Sequence, residues 1–344
     1  MTEINNISIT SNNPIPLQFM IINNQNIDIQ PGFQQLFQLN ISQLQYYNSN
    51  LASDLHNIRF LYKGNYIPAW LESISNGIAT IWVKLPVSIP ANSSIIIDIE
   101  VDPSLNFDGN YWGEAPQLSS TYGQYDNGAS VFTQYGGGGS MGWSKFTYVG
   151  GTWTTANGYL QQTATSSTGY GGDAVALIES TSYPNNGYYV LGMAFNYTTN
   201  VNPRVGIVAV ATPTSNGTFA YRFIGINYNG GGGFITLLND GVVWVSDGTY
   251  LGAVSTPYTM TITNAGGTWS GNLYSGYGTE ASTPLASLAT TTYTATNYEG
   301  ATSGYIGISA ADPIGNKPNP MNIMWFYMRT YPPNGVMPSV EVIA

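Results

Sequence analysis

Ile58-Arg59-Phe60-Leu61-Tyr62, Lys63-Gly64-Asn65, Tyr66 through Ile74, Ser75-Asn76-Gly77, Ile78 through Leu85 and Ile95 through Val101 form a run of short apolar segments separated by turn residues. Asn76-Gly77 is a strong hairpin signal, because a type I′ turn needs positive φ at both central residues. The alternation in Ala79-Thr80-Ile81-Trp82-Val83-Lys84-Leu85 gives one buried face and one wetter face. The block is expected to be an antiparallel meander, and the rest of the chain to repeat its kind of structure.

The composition agrees. Gly 40 and Tyr 26 in 344 residues, with abundant Thr, Ser, Asn and Ile, favour strands and tight turns. Only 8% of residues are charged, yet aromatics are plentiful, which excludes a disordered chain. The formal net charge is −10 and the eight Lys plus Arg form no basic patch, which speaks against nucleic acid as a partner. No apolar run reaches the roughly 18 residues of a membrane span. Without Cys there is neither a disulfide framework nor thiolate chemistry, and His56 is the one His. A surface of amides, hydroxyls and Tyr suits contact with other protein copies or with sugars. Met1 through Asn6 lacks the basic and apolar regions of a signal peptide. The extracellular-looking composition then implies either a removed signal or assembly inside a cell into a released particle.

Taken in order, Ile4–Thr10, Leu17–Ile22 and 33–39 are strand candidates, and 42–55 is the one helical or irregular segment. Residues 102–132 are rich in Gly, Asn, Tyr and Pro, and Gly136-Gly137-Gly138-Gly139-Ser140 is the best linker, so a domain boundary is expected between about 105 and 140. From Trp143 onward a dozen short strands, from Lys145–Val149 to Ile323–Thr330, are separated by turns such as Asn157-Gly158 and Asn239-Asp240-Gly241. That spacing predicts a two-sheet sandwich and no doubly wound fold. The expected fold is all-β, with two jelly-roll-like β-sandwiches in tandem over 1–135 and 143–344, and 136–142 as linker or loop.

Phe33-Gln34-Gln35, Ile67-Pro68-Ala69-Trp70-Leu71-Glu72, Ile81-Trp82-Val83-Lys84-Leu85-Pro86, Ile89-Pro90-Ala91, Gly113-Glu114-Ala115-Pro116-Gln117-Leu118 and Tyr125-Asp126-Asn127-Gly128-Ala129 follow one another in a telling order. Over roughly 10–135 the chain resembles a domain of uncharacterised function found in surface proteins of archaea and bacteria and in archaeal viruses. In that family a concanavalin-A-like (lectin/glucanase-type) sandwich often follows. Residues 143–338 are similar to that module, down to Tyr331-Pro332-Pro333-Asn334-Gly335-Val336-Met337-Pro338. The resemblance brings no catalytic residues and implies no cofactor.

Glycoside hydrolysis needs two carboxylates facing one bond. The Glu-x-Asp-x-x-Glu strand of concanavalin-like glucanases does not occur between 140 and 344, where Asp173, Glu179, Asp240, Asp247, Glu280 and Glu299 are scattered. Asp98, Glu100 and Asp102 share one strand face, which suits either a hard cation or, preferably, a solvated outer face. Trp143, Trp153, Trp244, Trp269 and Trp325 are expected mostly in the core. Tyr170, Tyr228, Tyr274 and Tyr277, in Gly-rich stretches read as loops, are the candidates for a binding surface. Gly230 to Gly233 lacks the Lys-Ser/Thr and helix of a phosphate loop. His56 beside Asp54 reads as a structural hydrogen-bonder. Asn6, Asn40, Asn92, Asn196 and Asn216 head Asn-x-Ser/Thr sequons and are glycosylation candidates. No catalytic or metal-binding residue is assigned.

The function expected from these readings is non-enzymatic. The chain is read as a structural and adhesive surface protein of a particle, most simply an archaeal virion, forming homo-oligomers, contacting other particle proteins and host-surface glycans. A secreted or envelope-bound adhesin with a lectin-like domain and a polysaccharide-degrading enzyme are the alternatives.

Overall fold

The computed structural model describes residues 17–115, 118, 128–136, 142–149, 152–164, 174–184, 187–197, 204–213, 221–229, 234–239, 242–247, 256–276, 283–292, 303–311 and 321–343. The first elements are β1 (Leu17–Asn23), β2 (Gln34–Asn40), helix α1 (Ile41–Tyr47), β3 (Ile58–Tyr62), β4 (Asn65–Ile67), β5 (Ala69–Ser75), β6 (Ile78–Lys84), β7 (Ser93–Val101) and β8 (Trp112–Glu114). There follow β9 (Thr133–Gly136), β10 (Thr147–Val149), β11 (Thr152–Ala156), β12 (Tyr159–Ala164), β13 (Ala174–Pro184), β14 (Tyr188–Tyr197), β15 (Arg204–Pro213) and β16 (Tyr221–Asn229). The last are β17 (Phe234–Asn239), β18 (Val242–Asp247), β19 (Tyr258–Ala265), β20 (Thr268–Ser275), β21 (Ala286–Thr292), β22 (Ser303–Ala311), β23 (Met321–Thr330) and β24 (Ser339–Val342).

The turns form as their residues dictate. Asn76 and Gly77 have φ of 51° and 76°, and Lys63 and Gly64 have 50° and 77°, so each pair closes a two-residue hairpin. The two hairpins do not form one meander, which corrects the first expectation. β3 and β4 lie in a five-stranded sheet ordered β24-β1-β7-β3-β4, whereas β5 and β6 lie in a four-stranded sheet ordered β2-β6-β5-β8. Pro68 falls between β4 and β5. Having no N–H, it cannot continue a ladder, and the chain changes sheet there.

These two sheets face each other across one core. Phe19, Ile21, Phe60 and Ile97 come from the five-stranded sheet, and Phe37, Leu71, Ile81 and Val83 from the four-stranded one. Phe37 makes edge-to-face contacts with Phe19 and Phe60, at centroid distances of 5.8 and 5.6 Å. A second sandwich joins a seven-stranded sheet, β10-β13-β22-β15-β16-β17-β18, to an eight-stranded one. The latter runs β11-β12-β23-β14-β19-β20-β21, with β9 also on β23. Ile178, Ile207 and Ile308 meet Leu191, Met193, Ile262 and Phe326 in its core. The chain is thus all-β, with two sandwiches.

A third buried cluster lies between the sandwiches. Trp70 and Trp82 from the four-stranded sheet meet Ala194, Trp325 and Tyr327 from the eight-stranded sheet, with Phe132 among them. Trp82 and its neighbours Ile81 and Val83 point to opposite faces, as strand geometry requires, so β6 serves two cores. β23 does the same through Phe326 on one side and Trp325 and Tyr327 on the other. The sheets therefore stack five, four, eight, seven. Strand pairing also crosses the expected division of the chain. β9 pairs with β23 through Trp325↔Gly136 to Met328↔Thr133, so Gly136 ends a strand. β24 returns to pair with β1 through Phe19↔Val342 to Ile22↔Ser339.

Most of the expected strands are present, Tyr159–Ala164, Tyr188–Tyr197 and Phe234–Asn239 with the same bounds. The candidate Ile4–Thr10 and residues 137–141 of the Gly-rich run lie outside the described residues. α1 falls at the start of the helical candidate, and Asn40 caps it by accepting from Gln43 N at 3.2 Å.

Candidate functional site

The stacking leaves an open cavity of about 300 Å³ where the two sandwiches meet at one edge. One wall is the loop after β1, residues 27–31 with Phe33, and the other is Tyr188, Thr330, Tyr331, Pro333 and Asn334.

Each wall is held by the backbone. Ile29 pairs with Ile89 through reciprocal N–H···O bonds of 2.9 and 3.0 Å, Gly32 N donates to Leu85 O at 2.8 Å, and Asp28 Oδ1 accepts from Ala91 N at 2.8 Å. On the far side Tyr331 N donates to Tyr188 O at 3.2 Å, fixing the end of β23 beside the start of β14. The chain then makes a 3₁₀ turn at Pro333–Gly335, with Asn334 at φ 53°. Asn334 Nδ2 donates across the seam to Gln25 Oε1 at 3.0 Å.

Two buried glutamines tie the walls together behind the cavity. Gln34 Oε1 accepts from Thr330 N at 2.9 Å, while its Nε2 donates to Gly32 O at 2.9 Å and Val131 O at 3.4 Å. Gln35 Nε2 donates to Pro338 O at 3.0 Å. Deeper still, Trp82 Nε1 donates to the buried Glu72 at 2.6 Å, and the buried Arg329 guanidinium lies 4.9 Å from the Trp82 ring centroid. Glu72 stands where the β5–β6 register shifts, between Leu71 and Ser73.

The cavity floor is apolar, since Ile29 and Phe33 are buried, whereas Asp28, Gln30, Tyr188 and Asn334 are exposed at its rim. Among the described residues, Asp28 Oδ2, the Gln30 amide, the Tyr188 and Tyr331 hydroxyls and Asn334 Oδ1 have no protein partner. Among the described residues the lining holds one carboxylate and no cation.

Of the tyrosines expected at a binding surface, the two that are described, Tyr228 and Tyr274, do not line this cavity. Tyr274 is in β20 and 2% exposed, so it is core, and Tyr228 is in β16, paired with Val205, and not in a loop. Tyr170 and Tyr277 lie outside the described residues, as do Asn6 and Asn216, Asp173, Asp240, Glu280 and Glu299. Asn92 is exposed in a turn, whereas Asn196 accepts from Asn322 Nδ2 at 2.9 Å within β14. Glu179 and Asp247 lie in β13 and β18. Asp98, Glu100 and Asp102 each take a separate donor, from Gln18, Tyr66 and Ser104, at 2.7, 2.7 and 2.8 Å. Tyr66 is pushed above its usual pKa, first by the hydrogen bond to Glu100 and then by burial. Among the described residues no group of three or more His, Cys, Asp and Glu could hold a metal. His56 Nδ1 sits 2.6 Å from Asp54 Oδ1 in an exposed pair. No helix among the described residues is long and apolar enough to cross a membrane.

No family model matches the chain. Over 205 residues, 58% of the chain, it is 34% identical to "Uncharacterized protein 562" of Sulfolobus islandicus rod-shaped virus 1. The chain spans about a third of the length of that curated relative, 33% of it. Among solved structures, a protein of unknown function from Shewanella oneidensis MR-1 overlaps with TM-score 0.39 at 15% identity, over 54% of this chain and 78% of that one. A winged bean acidic lectin complexed with methyl-alpha-D-galactose overlaps with TM-score 0.38 at 10% identity, over 54% and 92%. A Bacillus subtilis protein of unknown function with a galectin-like fold overlaps with TM-score 0.39 at 12% identity, over 54% and 90%.

Proposed function

We propose that the chain is a non-enzymatic structural and adhesive protein at the surface of a virus particle, contributing to assembly and to attachment to host-surface glycans. The observation that carries this reading is the 34% identity over 205 residues to a protein of an archaeal rod-shaped virus. The resemblance of roughly residues 10–135 to a domain found in surface proteins of archaea and bacteria and in archaeal viruses supports it. So does the chemistry of the skin. With 8% of residues charged, contact relies on amides, hydroxyls and Tyr and not on salt-sensitive ion pairs. The packed junction between sandwiches supports a rigid projecting body, and β4, the end strand of the five-stranded sheet with Asn65 and Tyr66 exposed, suits cover by further copies or other particle proteins.

Immunogold labelling of purified particles of the source virus, with antibody to this chain, tests the reading. Gold along the particle surface is the expected result. Particles that neither bind gold nor yield the chain's peptides by mass spectrometry would remove it.

A further inference from the structure

We propose that the cavity at the seam of the two sandwiches is a binding site for a neutral hexose at the end of a glycan, with Tyr188 and Tyr331 supplying aromatic contact. This assignment rests on the attachment reading above and names its ligand class and site.

Four observations point to that ligand. The first is size, because about 300 Å³ lies at the lower end of the range for small-ligand pockets. The second is the mixture of surfaces. A hexose has an apolar C–H face and a belt of hydroxyls that both donate and accept. The floor of Ile29 and Phe33 and the two tyrosine rings suit the face. Asp28 Oδ2, the Gln30 amide and Asn334 Oδ1, which the fold leaves unused among the described residues, suit the belt.

The third is charge. Among the described residues the lining has one carboxylate and no Lys, Arg or His, in a chain of net charge −10. A uronate, a sialylated or sulfated sugar or a phosphate would be repelled, and no donor of full positive charge would compensate. The fourth is the seating of the two tyrosines. A Cβ on Gly335 would come within 2.7 Å of the Tyr331 hydroxyl, and one on Gly266 within 2.7 Å of the Tyr188 hydroxyl. Both glycines have φ near +70°, 72° and 68°, where other residues are strained. Each tyrosine tip is thus laid against glycine backbone, which a side chain at either glycine would displace.

The cavity has a further consequence. Its walls come from different sandwiches, so an occupant touches both and stabilises their junction by linkage.

The test is titration of the full chain with methyl α-glucoside, methyl α-galactoside and methyl α-mannoside, with glucuronate as the charged control, read by saturation-transfer NMR and by melting temperature. At least one neutral glycoside is expected to bind saturably and raise the melting temperature, with glucuronate at least tenfold weaker. Tyr188 is 58% exposed, so Tyr188→Ala should melt like the parent while losing about tenfold in affinity, the size of one aromatic contact. Asp28→Asn should retain neutral binding and narrow the gap to glucuronate. The proposal is overturned if no neutral glycoside binds a natively melting chain, if Tyr188→Ala binds as tightly as the parent, or if glucuronate binds equally well. It is also overturned if Tyr188→Ala dissociates an oligomer of a chain that binds no sugar, since the cavity would then seat a second copy. All readouts use the isolated chain, so sugar binding by a chain absent from particles would remove only the virion reading.

Discussion

Asp108 shows how a single carboxylate organises its surroundings. Its Oδ1 accepts from the backbone N–H groups of Asn110, Tyr111 and Trp112 at 2.9, 2.9 and 3.1 Å, and its Oδ2 accepts from the buried Arg59 at 2.9 Å. Burial alone would raise its pKa, but the three N–H groups and Arg59 outweigh it and the carboxyl titrates below its ordinary range. A lowered folded-state pKa gives stability that is complete above the unfolded value of about 3.9 and is lost as pH falls through the folded value. Asp108→Ala should therefore cost about 2 kcal/mol at pH 7, the scale of hydrogen bonds to a charged group. In denaturant titrations between pH 2 and 7 the loss should shrink below about pH 4 as the parent loses the same contribution. At this scale the tyrosines that line the cavity were least legible. Tyr274 sits one residue before the end of β20, and neighbouring Gly text resembles a loop, yet that one residue puts its ring in the core. Tyr188 opens β14, a strand covered on both faces by different cores, so no alternation marks it as outward.

At the scale of elements, turn chemistry carried most of the legible information. Asn76-Gly77, Lys63-Gly64 and Asn157-Gly158 all take positive φ and all lie between paired strands. A Cβ on Gly77 would meet nothing within 4 Å, so Gly77→Ala isolates backbone strain. It should cost about 1 kcal/mol, read as a lower denaturation midpoint at unchanged slope. Which strands share a sheet was not legible, because partner choice depends on the far side of each strand. β24 is the clearest case. Its four residues alternate exposed and half-buried, and their partner β1 lies more than 300 residues upstream. Truncation after Pro338 would bare the β1 edge and remove Val340 and Val342 from the first core. A lower melting temperature and association that grows with concentration are expected in light scattering.

For the whole molecule the decisive feature is the aromatic layer between the sandwiches. Trp70, Trp82, Phe132, Trp325 and Tyr327 make the junction a third core. Trp325 was among the tryptophans expected mostly in the core. That it packs with Trp70 and Trp82 between the sandwiches was not expected, since β6 and β23 bury both faces and therefore read as ordinary central strands. Trp82→Ala would open a cavity between Phe132, Glu72 and Arg329, at a cost of about 3–5 kcal/mol. Calorimetry of the parent should give one transition, and that of the variant two, as the sandwiches lose their common layer.

The proposed role has the seam of this chain contact neutral sugars on a host cell. Binding of the fluorescently labelled, purified chain to cells of the host, with Tyr188→Ala alongside, tests this most directly. Saturable binding that neutral glycosides displace and that the variant lacks is the predicted result. No saturable binding by the natively folded chain, or equal binding by both proteins, would contradict it.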